Sequence, residues 1–429
     1  MSNPDIIVIG AGLSGLCTAL TLAQQNKHVF LIEQLDRFGG LCGQHDVNGH
    51  SYTIACNDFG NGMINSLKRL GVKTQFEKKK SRVFYEGETI DTPIDFMFLL
   101  KLMKSPQQFA ALLKGIRQYR RTSPPLVTIS DFTNAYLKPG RIKDIVEIPA
   151  YLMGTSPADF NLKYLAYETE YKYGYNNPGV PVGGPNQLVS DLVAACWDHG
   201  VTLLKNTTVT EVNEKGTHIE VTMSAAQKVS TISAAKIIDT RPHTKDYPPD
   251  TKQGMMLCQL RLLTKNHTFD SRYHTYLHYP KDGGNAMDRL DKGQWCTQFP
   301  FHFFPNPTSD NEYTAINVFF YQPRGITHLE EAKQQQLLDY ILTCIDKMLP
   351  KLSDSIVEHH FFDAQSFFDE FHQWPQVMPF IWHGNKPSNQ TGSQHIFRGG
   401  HTAYPPGDHA GAAVLSAEIV SNLVMKETP

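Results

Sequence analysis

The 429-residue sequence predicts an α/β fold, with a parallel nucleotide-binding sheet joined to a discontinuous α+β domain that carries a helical insert. Three observations predict it. The chain opens on strand, glycine loop, helix and a second strand. Strand-like runs with a long helix recur over 246–384, and a basic, helix-patterned stretch lies near 95–145.

Asp5-Ile6-Ile7-Val8-Ile9 is a short apolar run rich in β-branched residues, as expected of a strand buried on both faces. It leads into Gly10-Ala11-Gly12-Leu13-Ser14-Gly15, and Leu16, Ala19, Leu20 and Ala23 then fall on one helical face. His28-Val29-Phe30-Leu31-Ile32 is a second strand, closing on Glu33 and Gln34. This is a Rossmann-like unit. Gly10 permits the tight turn, Gly12 keeps side chains away from a pyrophosphate, and Gly15 lets helix and strand pack closely. The first helical N–H groups, at Leu13, Ser14 and Gly15, face the phosphates with a partial positive charge. Glu33 stands where a carboxylate accepts from ribose hydroxyls, which disfavours a 2′-phosphate.

A second glycine cluster follows the acid, Gly39-Gly40-Leu41-Cys42-Gly43. With it the sequence resembles the glutathione-reductase-like flavoproteins, in the flavin amine oxidase and phytoene desaturase (protoporphyrinogen oxidase-like) superfamily. Three further segments share the resemblance: the helix start Val182-Gly183-Gly184-Pro185 with the later Val209, the strand Lys236-Ile237-Ile238-Asp239-Thr240, and Ile396-Phe397-Arg398-Gly399-Gly400 continuing to Gly407-Asp408-His409-Ala410. The resemblance implies FAD. Its ribityl-pyrophosphate part would lie along Gly39 to Cys42, its adenine against the Val209 backbone, and its pyrimidine edge at the helix N-terminus near His409 and Ala410. Leu41 stands where amine oxidases usually carry arginine, and Gly400-His401 replaces their Gly-Glu. No cysteine follows Cys344, so a non-covalent flavin is expected.

The resemblance implies an FAD-binding domain assembled from 1–75, 180–245 and 385–429. A substrate domain takes 80–180 and 246–384. Within it, Arg82 to Tyr85 and Glu86-Gly87-Glu88 read as a strand and a hairpin turn, Met255–Leu263 and Ala315–Tyr321 as strands, and Leu329–Met348 as a helix.

Composition excludes several classes. With 40 Lys+Arg against 42 Asp+Glu, the net charge of −2 argues against a general nucleic-acid binder. Seven cysteines without a CxxC predict neither a disulfide framework nor a zinc site, and no metal is expected. No signal peptide or spanning segment is read, and a reducing cytoplasm is the expected compartment. The run Phe96-Met97-Phe98-Leu99-Leu100, with Lys101, Lys104, Lys114, Arg117, Arg120 and Arg121 beyond it, reads as a helix packed on the protein body. Peripheral membrane contact is the alternative. A homo-oligomer is left open.

No second GxGxxG is present for NAD(P)H, so a small-molecule substrate is expected to reduce the flavin and oxygen or another acceptor to reoxidise it. Expected walls of an apolar slot are Tyr167, Tyr171, Tyr173 and Tyr175, then Phe299, Phe301, Phe303 and Phe304, and Phe380, Trp382 and Tyr404. The acid–base candidates are His50, Asp58, Arg261, His302, His401 and His409. The expected reaction is two-electron oxidation of an amine, or desaturation of a C–C or C–N bond. A redox-neutral mutase or isomerase and a non-catalytic FAD-binding relative are the alternatives.

Overall fold

The computed structural model describes residues 3–92, 106–122, 127–265, 267–307, 312–382 and 384–426. The opening strand, β1 (Ile6–Ile9), is wholly buried and pairs in parallel with β2 (Val29–Ile32) on one side and Lys236–Asp239 on the other. Thr202–Leu204 and Ile396–Arg398 complete a five-stranded parallel sheet. Strands buried on both faces need cover on both. The helices α1 (Leu13–Ala23), Gly184–Asp198 and Ala410–Lys426 supply one cover, through Leu16, Leu20, Leu188, Leu192, Val414 and Val420. The other is a three-stranded antiparallel sheet, Thr208–Glu214, Ile219–Ala225 and Lys228–Ala234, which packs Val209, Ile219 and Val221 against Ile7, Ile9 and Phe30. Only its first strand is anticipated in the sequence.

A second, seven-stranded sheet unites the two inserts. Its order is Ile356–Phe362, Leu257–Lys265, Tyr313–Tyr321, Phe301–Pro307, Tyr273–His278, Lys80–Tyr85 and Glu88–Thr92. Alternation along its strands gives it two chemically different faces. Leu260, Leu262, Val318, Phe320, Phe301 and Phe303 share one face, and join Leu338, Ile341 and Ile345 of the helix Glu331–Met348 in one buried cluster. Gln259, Arg261, Asn317, Phe319, His302 and Phe304 share the other.

That second face is tied to the nucleotide-binding part. The hairpin Gln44–Val47/His50–Thr53 continues past it, and Asn317 both accepts from Thr53 N–H (3.0 Å) and donates to Thr53 O (2.9 Å). Gln259 donates to the Ile54 carbonyl. The helical insert comprises Pro106–Thr122, Ile129–Tyr136, Arg141–Leu152 and Lys163–Glu170, running further along the chain than expected. The apolar run 96–100 lies outside the described residues. Among the described residues no helix is long and apolar enough to cross a membrane.

Candidate active site

The first glycine loop is built as its spacing requires. Gly10 has φ +91°, and a Cβ on Gly15 would lie 1.8 Å from the Gly10 carbonyl oxygen, so helix and loop are in backbone contact. α1 begins with Gly12 as its cap, without a side-chain hydrogen bond and without an acid in its first turn. An anion there meets unpaired N–H groups and no competing charge. Ser14 adds a buried hydroxyl that has no hydrogen-bond partner.

The second glycine pair folds back onto the first. Gly39 N–H donates to Ala11 O at 2.8 Å, Gly12 and Gly39 form an isolated parallel bridge, and a Cβ on Gly40 would come within 3.0 Å of the Gly12 Cα. Arg37 holds this turn by donating to the carbonyls of Gly40 and Cys42. The Glu33 carboxylate accepts from Ala11 N–H (2.8 Å) and Leu35 N–H (2.9 Å), which fixes it beside the loop while each oxygen keeps accepting capacity. Gln34 is exposed. The Leu41 side chain packs against the cluster of Ile54, Phe362 and Phe367, and Cys42 is buried among core residues, so only their backbones face the loop. Thr240 donates its hydroxyl beneath the loop, to Ile9 O or Gly10 O, and Val209 is buried against the same sheet. A cradle of bare backbone with an orphaned hydroxyl fits the diphosphate of a dinucleotide.

The C-terminal segment is pinned from one short stretch. Lys386 donates to the carbonyls of His401 and Gly407 and to Asp408 (2.8 Å), and this ion pair is almost wholly buried. Asn389 donates to Arg398 O and Tyr404 O. Asp408 also accepts from the Tyr164 hydroxyl at 3.2 Å. Gly400 and Gly407 take φ +94° and +116° in this turn. The turn leads into the helix at Ala410, where Gly411 N–H donates to the Tyr175 hydroxyl (3.3 Å) and Ala412 N–H to His409 Nδ1 (3.2 Å).

The six acid–base candidates do not form one constellation. His50 lies in its hairpin with its ring tilted against that of Tyr313 (5.3 Å between centroids). Arg261 is buried beneath the hairpin, donating to Gln259 Oε1 and contacting His45, with its guanidinium 3.9 Å from the Phe362 ring centre. Burial lowers its pKa to about 10, and Nη2 has no partner. His409 caps the last helix through Nδ1 and lies between Tyr173 and Tyr175. A backbone N–H can only donate, so Nδ1 is an acceptor already in use, and burial together with Lys386 lowers the His409 pKa to about 3. His401 is likewise lowered to about 4 by burial and Lys386.

Two candidates are linked electrostatically. His302 belongs to the second sheet and Asp58 to the segment beyond the glycine loops, which adjoin in a seam held by Asn317 with Thr53 and by His274 with Asp58. Burial lowers the His302 pKa to about 4, and the Asp58 charge opposes that effect. Asp58 is held by His274 (2.7 Å). Tyr175 reaches the helix at Gly411, whose N–H donates to its hydroxyl. His302 stacks on Phe319 and bonds Tyr151 at 2.7 Å. The expected walls Phe299, Phe301, Phe303 and Phe304 are all buried in one core cluster; of the strand residues, Phe304 lies on the sheet face of His302 and touches its ring, while Phe301 and Phe303 lie on the other. Lys386, Asn389, Tyr151 and His274 are absent from the sequence reading: Tyr151 and His274 act on partners far away in the chain, and Lys386 and Asn389 act largely on backbone carbonyls of the following turn. Among the described residues no group of three or more His, Cys, Asp or Glu is placed to hold a metal.

Residues 8–62 match the family of NAD(P)-binding Rossmann-like domains. Curated relatives match only in segments. All-trans-retinol 13,14-reductase of Danio rerio is 36% identical over 56 residues, 13% of this chain and 9% of that protein. UDP-galactopyranose mutase of Mycoplasma genitalium is 26% identical over 107 residues, 23% of this chain and 26% of that protein. The chain thus spans about a quarter or less of the length of these relatives. Solved structures match throughout. Putrescine oxidase bound to putrescine has a TM-score of 0.67 at 14% identity, covering 99% of each chain. Cyclohexylamine oxidase from Brevibacterium oxydans has a TM-score of 0.66 at 15% identity, covering 99% of this chain and 100% of its own. The chain has the amine-oxidase fold. An oxidoreductase from Methanosarcina mazei shares this fold, with a TM-score of 0.68 at 13% identity over 97% of this chain and 99% of its own. In the amine-oxidase fold of this chain, the glycine loops, the pinned C-terminal turn and the Asp58–His302 seam are the elements available for chemistry.

Proposed function

We propose that the protein is an oxidoreductase that holds FAD non-covalently and oxidises a small-to-medium, partly apolar substrate by two electrons, at an amine or at a C–C or C–N bond. The observation that carries this reading is the doubled glycine loop, in which the Gly12 and Gly39-Gly40 backbones touch beside Glu33. Leu13, Ser14 and Gly15 would bind the diphosphate, Glu33 the ribose, and the Gly39 to Cys42 backbone the ribityl side. When bound, flavin supplies a two-electron acceptor that takes hydride at N5. Asp58 and His302 orient the substrate and accept its proton from the seam, while Phe304 and Phe319 exclude water beside them.

The purified protein is tested by releasing and identifying its yellow cofactor, then mixing it anaerobically with amines and polyenes. Bleaching by a substrate supports the reading. A folded protein that stays colourless with added flavin overturns it. The match to a mutase over 107 residues favours one second reading, a redox-neutral flavoenzyme. That enzyme would bind flavin and turn over only after the flavin is reduced.

A further inference from the structure

Tyr151 lies at the end of the helix Arg141–Leu152 with none of its surface exposed, and its hydroxyl has two partners: His302 Nδ1 at 2.7 Å and the Phe319 carbonyl oxygen at 3.3 Å. The phenol carries one hydrogen, and a carbonyl can only accept. Both contacts are hydrogen bonds in a single arrangement, in which Tyr151 donates to Phe319 O and His302 donates from Nδ1 to Tyr151. The imidazole proton is then on Nδ1, and Nε2 keeps its lone pair. We propose that Tyr151 is a positioning residue that holds His302 as the Nδ1–H tautomer and so leaves Nε2 as the proton acceptor of the ring.

The surroundings leave Tyr151 little freedom. Its ring meets those of Tyr321 (5.5 Å) and Tyr279 (6.2 Å) edge-on, and the hydroxyls of both neighbours are buried without hydrogen-bond partners, so neither takes its proton. Tyr321 is seated by Gly154, where a Cβ would lie 2.8 Å from its ring. On the other side, His302 is sandwiched by Phe319 (5.4 Å, nearly parallel) and touched by Phe304 (5.2 Å), which fixes the plane in which Nε2 points. Burial keeps the ring neutral near pH 7, and Asp58 stabilises the imidazolium formed once Nε2 accepts a proton. This role rests on the oxidoreductase reading: the substrate loses a hydride to the flavin and a proton to Nε2, accounting for two electrons and both hydrogens.

The tautomer is read without flavin. In flavin-free protein labelled with 15N-histidine, and with the His302 signals assigned by their loss in His302→Gln, the expected spectrum has a protonated-type Nδ1 and an unprotonated-type Nε2. In Tyr151→Phe the proton is expected to redistribute to Nε2. A wild-type spectrum with the proton on Nε2 overturns the proposal, and it decides alone if the variant does not fold. A Tyr151→Phe spectrum like that of wild type overturns it as well. In flavin-loaded protein, Tyr151→Phe is expected to slow anaerobic flavin reduction about tenfold and displace its pH profile at unchanged flavin affinity. An unchanged rate and profile overturn the catalytic part. Failure of the wild type to bind flavin at all sinks the oxidoreductase reading and leaves the tautomer measurement standing by itself.

Discussion

At the nucleotide end, positions are set by backbone. Gly10, Gly12, Gly15, Gly39 and Gly40 bring main chain against main chain, and the contacts lie within about one β-α-β unit and the turn after it. At the seam and the C-terminal turn, positions are set by side chains: Asp58 is held by His274 and His302 by Tyr151, from distant stretches, and the turn is held by Lys386 just upstream of it. At Gly15 the first region tolerates no added side chain, because backbone meets backbone there. The second is as tightly packed but depends on side-chain hydrogen bonds and charge. The difference gives each region its own mode of failure.

The largest effect is expected at the first region. Gly15→Val places a side chain into the Gly10 carbonyl and is expected to cost about 4 kcal/mol or more, read as loss of soluble, folded protein or a collapse in Tm. Gly12→Ala sharpens the contrast, because its Cβ has nothing nearer than the Gly40 Cα at 3.9 Å. It is expected to fold with an unchanged Tm and to lose flavin affinity by about tenfold, about 1.4 kcal/mol, by titration. If both variants fold and bind alike, the backbone account of this end is wrong.

For the seam, Lys386→Met leaves Asp408 buried without its cation and is expected to cost about 3 to 5 kcal/mol in denaturant unfolding. His302→Gln is expected to fold, to take up flavin, and to lose about 100-fold in the rate of flavin reduction, about 2.7 kcal/mol in the barrier. Equal loss of flavin content and rate would instead place His302 in the frame of the protein.

Acid gives the smallest effect for any one group. The pKa values of His278, His302 and His401 are lowered to about 4 and that of His409 to about 3, below the ordinary 6.5. The unfolded chain therefore binds more protons than the folded one between pH 6.5 and 4. The stability these groups contribute is present above pH 6.5 and is lost as pH falls through that window, by roughly 1 kcal/mol per pH unit for each group. Thermal melts from pH 7 to 5 should fall, and less so in His302→Gln.

The same contrast explains what was legible in the sequence. β1, the first glycine loop and Glu33 follow from local pattern, since turn, close approach and helix start are properties of neighbouring residues. The alternation of His302 with phenylalanines was visible too, but not which of them face the seam; the pairing of Phe303 with Val318 puts that ring in the core. His409 stood at the right helix, yet its use as a cap depends on how its own ring folds back to Ala412. Lys386 carries no local signal, because two of its three acceptors are backbone carbonyls, which no residue type announces.

The outer strand Ile396–Arg398 pairs with Lys236–Asp239, which in turn lies beside β1. One edge of the nucleotide-binding sheet is therefore delivered only after both inserts have been made. A growing chain displays the first glycine turn long before the sheet beside it is complete, so the turn waits on contacts between stretches far apart in the sequence.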